Sequence, residues 1–454
     1  MAPVLTRDRA LALQNPSTGL DDGAIRPPRP RLGGRVRGAS VGTARLRGID
    51  RIRVEPSYCS DYGPTMSQAD SEIAGLKRVG DYRRSSLRFQ RALFRVLVGS
   101  DPQPTDAQVE ELKRFLVMGD PLADAVVEMY GALPAGRGRA LLDQALEHGI
   151  DTVDDPPPAL TALFAQLDQE PIWLDRDKLA LACQVSRRVG HWGELSLRNL
   201  SLMGGYLGAA AAKPLVFTAQ LEQMTPRRLV ETGKFWMDVT TVGGLERFAE
   251  GFKSSVRVRV MHAHVRAMLL KSGKWDPAWG RPLNQADSMA TLLEFSTIYM
   301  VGLRALGFLF TRREREAIVH LWRYVGYVMG VDERILPTCE DDANRAMYLM
   351  SATIPPSDDD TRALGTALAN VPLHFAGDHW LSQRWARLER TLRIGYTRYL
   401  LGDRAGDALG LPRTAAKYLW PAQVPVRLGL ELVRASLPPV NRLYVKLGER
   451  LAAT

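Results

Sequence analysis

Residues 244–271 read GLERFAEGFKSSVRVRVMHAHVRAMLLK, and their apolar positions recur at the spacing of a helix. Val258, Met261, Val265, Met268 and Leu269 fall on one stripe of a 3.6-residue period. His262 sits at the edge of that stripe. Arg259 is three residues before it and Arg266 four after, so all three share a face. A neutral imidazole in such a place can ligate iron, and guanidinium groups suit the propionates of a haem. A core histidine between solvated arginines has the same spacing and, on spacing alone, is the plainer reading. His264 lies about 200° round the helix from His262, so the two cannot hold one metal together.

Working outward, Thr225 and Pro226 have the character of an N-cap and a first helical residue. The helix they predict runs over 226–241 and breaks at Gly243 and Gly244. Arg228 and Thr232, four apart, share one of its faces. Two helices made antiparallel by the glycines would set Arg228 and Thr232 opposite His262. There a guanidinium and a hydroxyl could bind a haem edge, a water or dioxygen. A surface arginine and an ordinary helical threonine satisfy the spacing equally.

The same periodicity predicts helices near 85–97, 105–116, 121–131, 136–148, 158–167, 177–188, 194–211, 285–307, 311–329, 341–350, 360–370, 379–402 and 413–436. Strand-like alternation is scarce, so the expected class is all-α, with one large helical domain. Its main body is placed at 66–352. A C-terminal helical extension follows at 353–454, beyond the loop IPPSDDD at 354–360. Residues 1–65, rich in Pro, Gly and Arg, are expected to be a disordered basic tail, with Met66 a second candidate start.

The formal net charge of the 454 residues is +10, but residues 1–60 hold eleven arginines and five acids, leaving +4 for the rest. Basicity confined to a tail, without a recognisable module, argues against a nucleic-acid partner. Peripheral contact with anionic lipid stays open, and the mixed apolar and basic run 421–453 would suit either packing on the body or a membrane surface. Three scattered cysteines, with no CxxC or CxxCH, argue against structural zinc, exclude covalent haem attachment and fit a reducing cytoplasm. No stretch reaches the roughly 18 uninterrupted apolar residues of a membrane span. Residues 202–217 are broken by Lys213 and Pro214, and 295–310 by Arg304. A cytoplasmic, soluble or membrane-peripheral protein is expected.

RRLVET at 227–232, VGGLERF at 242–248 and VRVRVMHAHVR at 256–266 are followed by RPLNQAD at 281–287, WRYVGYVMG at 322–330 and ILP at 335–337. Together, over roughly residues 105–350, they resemble the rubber oxygenase (latex clearing protein) and ER-bound oxygenase mpaB catalytic-domain family. Each motif is weak. Their order, with Arg228 placed 34 residues before His262, is specific. The resemblance implies a helical, globin-like core holding a non-covalent haem b, with His262 as the proximal iron ligand. It implies that Arg228 and Thr232 belong to the haem pocket and that Arg259 and Arg266 surround the ligand. The implied activity is that of an oxidoreductase adding dioxygen across carbon–carbon double bonds.

The chain departs from the rubber-cleaving pattern at one point. Those enzymes carry an acidic residue upstream of the Arg and Thr pair, whereas no Asp or Glu occurs here between Glu194 and Glu222. The expectation is therefore a haem-dependent oxygenase for a small apolar, unsaturated isoprenoid, terpenoid or lipid substrate. A haem-binding carrier or sensor, and a haem-free scaffold at a membrane surface, are the alternatives. His374 and His379 flank Gly377 and read as part of a turn, and His320 beside Trp322 reads as core. GASVG at 38–42 spells GxSxG without the strand, turn and helix that a nucleophile elbow needs.

Overall fold

The computed structural model describes residues 66–217 and 221–453, and among them there is no strand. The all-α expectation holds, while the basic tail at 1–65 lies outside the described residues. The helices run α1 (Met66–Gly75), α2 (Arg88–Val98), α3 (Asp106–Leu116), α4 (Pro121–Ala132), α5 (Arg137–His148), α6 (Pro158–Leu167), α7 (Arg176–Arg188) and α8 (His191–Ser196). A π-helical turn, Leu197–Leu202, continues α8. Then come α9 (Ala209–Phe217), α10 (Leu221–Val239), α11 (Glu250–Lys271) and α12 (Gln285–Leu293), the last continued by a second π turn, Glu294–Ile298, into α13 (Tyr299–Ala305). The chain ends with α14 (Arg312–Val328), α15 (Glu340–Thr353), α16 (Asp359–His374), α17 (Trp380–Ala408), α18 (Val424–Ser436) and α19 (Pro438–Ala453).

Local chemistry sets most boundaries. Thr311 and Glu314 form a reciprocal capping box at the start of α14. Asp120 caps α4 ahead of Pro121, and Asn284 caps α12. Where expectation fails, a proline or glycine is usually responsible. The helix expected over 413–436 is divided into two short turns, Ala415–Tyr418 and Leu419–Ala422, and α18, which has Pro425 in its first turn. Thr225 and Pro226 do not open α10, which begins at Leu221 and carries Pro226 inside it. Helix α11 starts at Glu250, not near 245 as the helical spacing of 244–271 predicts, because Gly243 takes a positive φ of 76° and a chain of turns follows it. The turn is tight: a side chain on Gly251 would meet the Asp238 carbonyl oxygen at 2.6 Å.

Pro64–Thr454 clusters as one compact unit. Its main core joins α3–α8 to α11–α15. A second cluster gathers Met203, Tyr206 and Ala212 with Leu364, Leu368 and Ile394. Helix α10 serves both: Phe235 and Trp236 pack on the main core, Leu229 on the second. Helix α10 also packs along α11, and α11 along α4. Among the described residues no single helix is long and apolar enough to cross a membrane, although His191–Gly205 and Ala209–Phe217, bent by 101°, pass that test as a pair.

Candidate functional site

His262 lies mid-way along α11, half-buried, and no hydrogen bond links its ring to any described residue. Burial, then Arg266, pushes its pKa down to about 4, with Asp120 opposing. The imidazole is thus neutral at ordinary pH, with its lone pair open to a ligand-accepting atom. His264, by contrast, is exposed. His320 is buried and accepts the Asp175 N–H at 2.9 Å, as befits a core histidine.

Arg259 and Arg266 flank His262 as the spacing required, but both are already answered by protein. Arg259 Nε and Nη2 donate to the two carboxylate oxygens of Asp120 at 2.6 and 3.0 Å, and Nη1 to Gln166 and the Val328 carbonyl. Arg266 grips Asp124 through Nε and Nη2 and donates Nη1 to the Leu283 carbonyl. Both arginines are only 3% exposed. To bind propionates they would have to abandon these carboxylates. In this structure they hold α11 against the start of α4 and so fix the height of His262.

Arg228 and Thr232 sit on the neighbouring helix. From the turn at 240–249, about 1.5 Å per residue puts Arg228 roughly 16 Å along α10 and His262 roughly 18 Å along α11. The two helices pack on each other, and Arg228 and His262 lie at similar counts of residues from the turn that joins them. Arg228 is half-buried and donates to the Leu215 carbonyl at 3.3 Å. Thr232 is exposed. The RPLNQAD motif is structural: Asp287 pairs with Arg78, and Gln285 donates to the carbonyls of Gly119 and Gly330. Trp322 stacks on Phe295 at 4.6 Å.

The sequence reading missed Glu294. Its carboxyl lies against Gly205, where a methyl group would overlap it. Burial pushes its pKa up to about 8, with Asp287 adding to the effect. Tyr206 feels both this carboxyl and Arg228. A glutamate within an apolar helical run gives no sequence signal of this setting.

Residues 187–435, more than half of the chain, match the profile of the ER-bound oxygenase mpaB/B'/rubber oxygenase catalytic domain. The chain belongs to this family. The resemblance drawn from the motifs is thereby borne out, and the protein is of an oxygenase family. A rubber oxygenase of Streptomyces sp. (strain K30) is 26% identical over 349 residues, 73% of this chain and 79% of that protein. The solved structure of latex clearing protein LCP in the closed state shares the fold, with a TM-score of 0.55 at 22% identity, over 78% of this chain and 94% of that one.

This family member has the donor set for an iron macrocycle, though not every partner foreseen for it. Among the described residues no three His, Cys, Asp or Glu side chains cluster as a metal site. His262 alone can hold iron only where a macrocycle supplies the remaining ligands. Its neutral, unpartnered ring fits that axial position. Arg259 and Arg266, as paired here, do not fit the propionates.

Proposed function

We propose that this oxygenase binds haem b non-covalently through His262 and acts with dioxygen on an apolar, unsaturated isoprenoid, terpenoid or lipid. The observation that carries the reading is a neutral His262 ring without a hydrogen-bond partner, on a helix that packs against the one bearing Arg228, in a family of oxygenases. Such a group, when bound, supplies the dioxygen chemistry that no side chain can provide. The chain's own work is positioning and exclusion. The Asp120–Arg259 and Asp124–Arg266 pairs fix the helix that presents His262. Arg228 offers a half-buried cation, and Thr232 a hydroxyl, to a polar edge or ligand. The apolar main core on which α10 and α11 pack keeps water from the reacting centre.

The test is spectroscopic. Protein purified from haem-sufficient cells should show a Soret band that His262→Ala removes or shifts to a new ligation state. A haem-free wild type would sink the proposal, and an unaltered band in the variant would sink the ligand assignment. Oxygen uptake with a terpenoid, lost in the same variant, would separate an oxygenase from a haem carrier.

A further inference from the structure

The two π-helical turns among the described residues pack on each other. Ser201 Oγ–H donates to the Glu294 carbonyl at 2.7 Å across that contact, and Gly205 leaves room for the Glu294 side chain. Such turns are uncommon and are often kept at functional sites. The groups they present are short of partners. No described residue hydrogen-bonds to the Glu294 carboxyl or the Tyr206 hydroxyl. Arg198, on the first π turn and 8% exposed, leaves Nε and Nη2 unpartnered. Tyr206 is near enough to Glu294, Arg198 and Arg228 to respond electrostatically to all three. Phe295, the neighbour of Glu294, packs on Phe235 at 6.5 Å, and Phe235 continues the α10 face that bears Arg228.

A molecule that covered the half-buried Glu294 carboxyl and the Tyr206 hydroxyl would strip them of water, which is costly unless that molecule completes their hydrogen bonds itself. A pure hydrocarbon cannot. We infer that Glu294 and Tyr206 hold an oxygen-bearing end of the substrate, so that this oxygenase takes an isoprenoid or lipid carrying a hydroxyl or carbonyl group rather than a bare polyene. The inference deepens the oxygenase reading above and rests on it for the reacting end of the substrate. The chemistry of the anchor is plain. A carboxyl that keeps its proton donates one hydrogen bond and accepts another, and the phenol does the same. A site built this way discriminates strongly against an analogue lacking the oxygen, because the analogue leaves the site's own groups unpaired.

The probes are a fifteen-carbon isoprenoid alcohol, farnesol, and its hydrocarbon counterpart, farnesene, titrated by equilibrium dialysis into the full-length protein as purified. The alcohol should bind about tenfold tighter or better. Glu294→Leu should bring the ratio close to one, while Glu294→Gln, which still donates and accepts, should keep part of it. Tyr206→Phe gives a second, smaller loss that does not depend on Glu294→Leu folding, and circular dichroism checks that each variant is folded. Equal affinities in the wild type, no binding of the alcohol, or a preference that survives both Glu294→Leu and Tyr206→Phe would overturn the inference. A wild type with a Soret band but no preference loses the anchor and keeps the haem. A preference without a Soret band does the reverse.

Discussion

Where α11 meets α4, buried charge is answered almost completely; where the two π turns meet, it is not. Arg259 and Asp120, at 3% and 10% side-chain exposure, share two hydrogen bonds, and the spare donors of Arg259 reach Gln166 and Val328. Tyr206 and Arg198 are also buried, and Glu294 beside them is half-buried, yet all three keep open hydrogen-bonding positions. Loss of water penalises unanswered polar groups in either region. The difference shows their tasks: the first network is closed and can only support, whereas the second is incomplete without a ligand. Arg259 and Arg266, beside His262, are thus engaged in holding α11 to α4.

The heaviest blow to this contrast would come from Arg259. Arg259→Ala should cost about 3–5 kcal/mol, since it strands Asp120 as a buried charge. Chemical denaturation should show a large fall in midpoint, while the folded fraction keeps the spectrum of the wild type. A variant of normal stability that has lost haem would instead make Arg259 a propionate partner and erase the contrast. Arg266→Ala should cost less, about 2 kcal/mol, because Asp124 is 30% exposed and water can replace the arginine.

The π-turn region should reveal itself through pH. Glu294 has its pKa raised from 4.5 to about 8, so over that window the folded chain retains a proton the unfolded chain has lost. The contribution of Glu294 is fully present below the lower value and disappears as pH rises through the upper one. Stability should therefore decline with pH in this interval, by at most about 1.4 kcal/mol per unit from this group. Glu294→Gln should flatten that slope in melting curves taken across the window. An unchanged slope would mean that the carboxyl ionises like an exposed one. The smallest effect belongs to Arg227, next to Arg228 but 68% exposed and paired with Glu231 on its own helix. Arg227→Ala should move stability by no more than about 0.5 kcal/mol, and leave the Soret band and oxygen uptake unaltered.

Much of the helical frame was legible because its signals are local. Helix α6 falls at 158–167 as the periodicity predicted, and α3, α4 and α14 lie within a residue or so of their expected ends. His262, Arg228 and Thr232 could be picked out because the family motifs keep a fixed order and spacing. The π turns could not, since an extra residue in a helical turn leaves the apolar pattern around it nearly intact. Nor could the start of α10, where Thr225 and Pro226 imitate a beginning that lies at Leu221.

The sequence by itself determined the all-α class, the glycine turn that sets α10 beside α11, and the family to which the chain belongs. Each follows from residues close together in the chain or from motifs in a set order. Only the tertiary structure decided what the charges do. Asp120 is 139 residues from Arg259, and Gly205, against which Glu294 rests, belongs to another helical segment. Whether a charged side chain finds a partner depends on what the fold brings within about 3 Å of it, and helical periodicity carries no information about that distance.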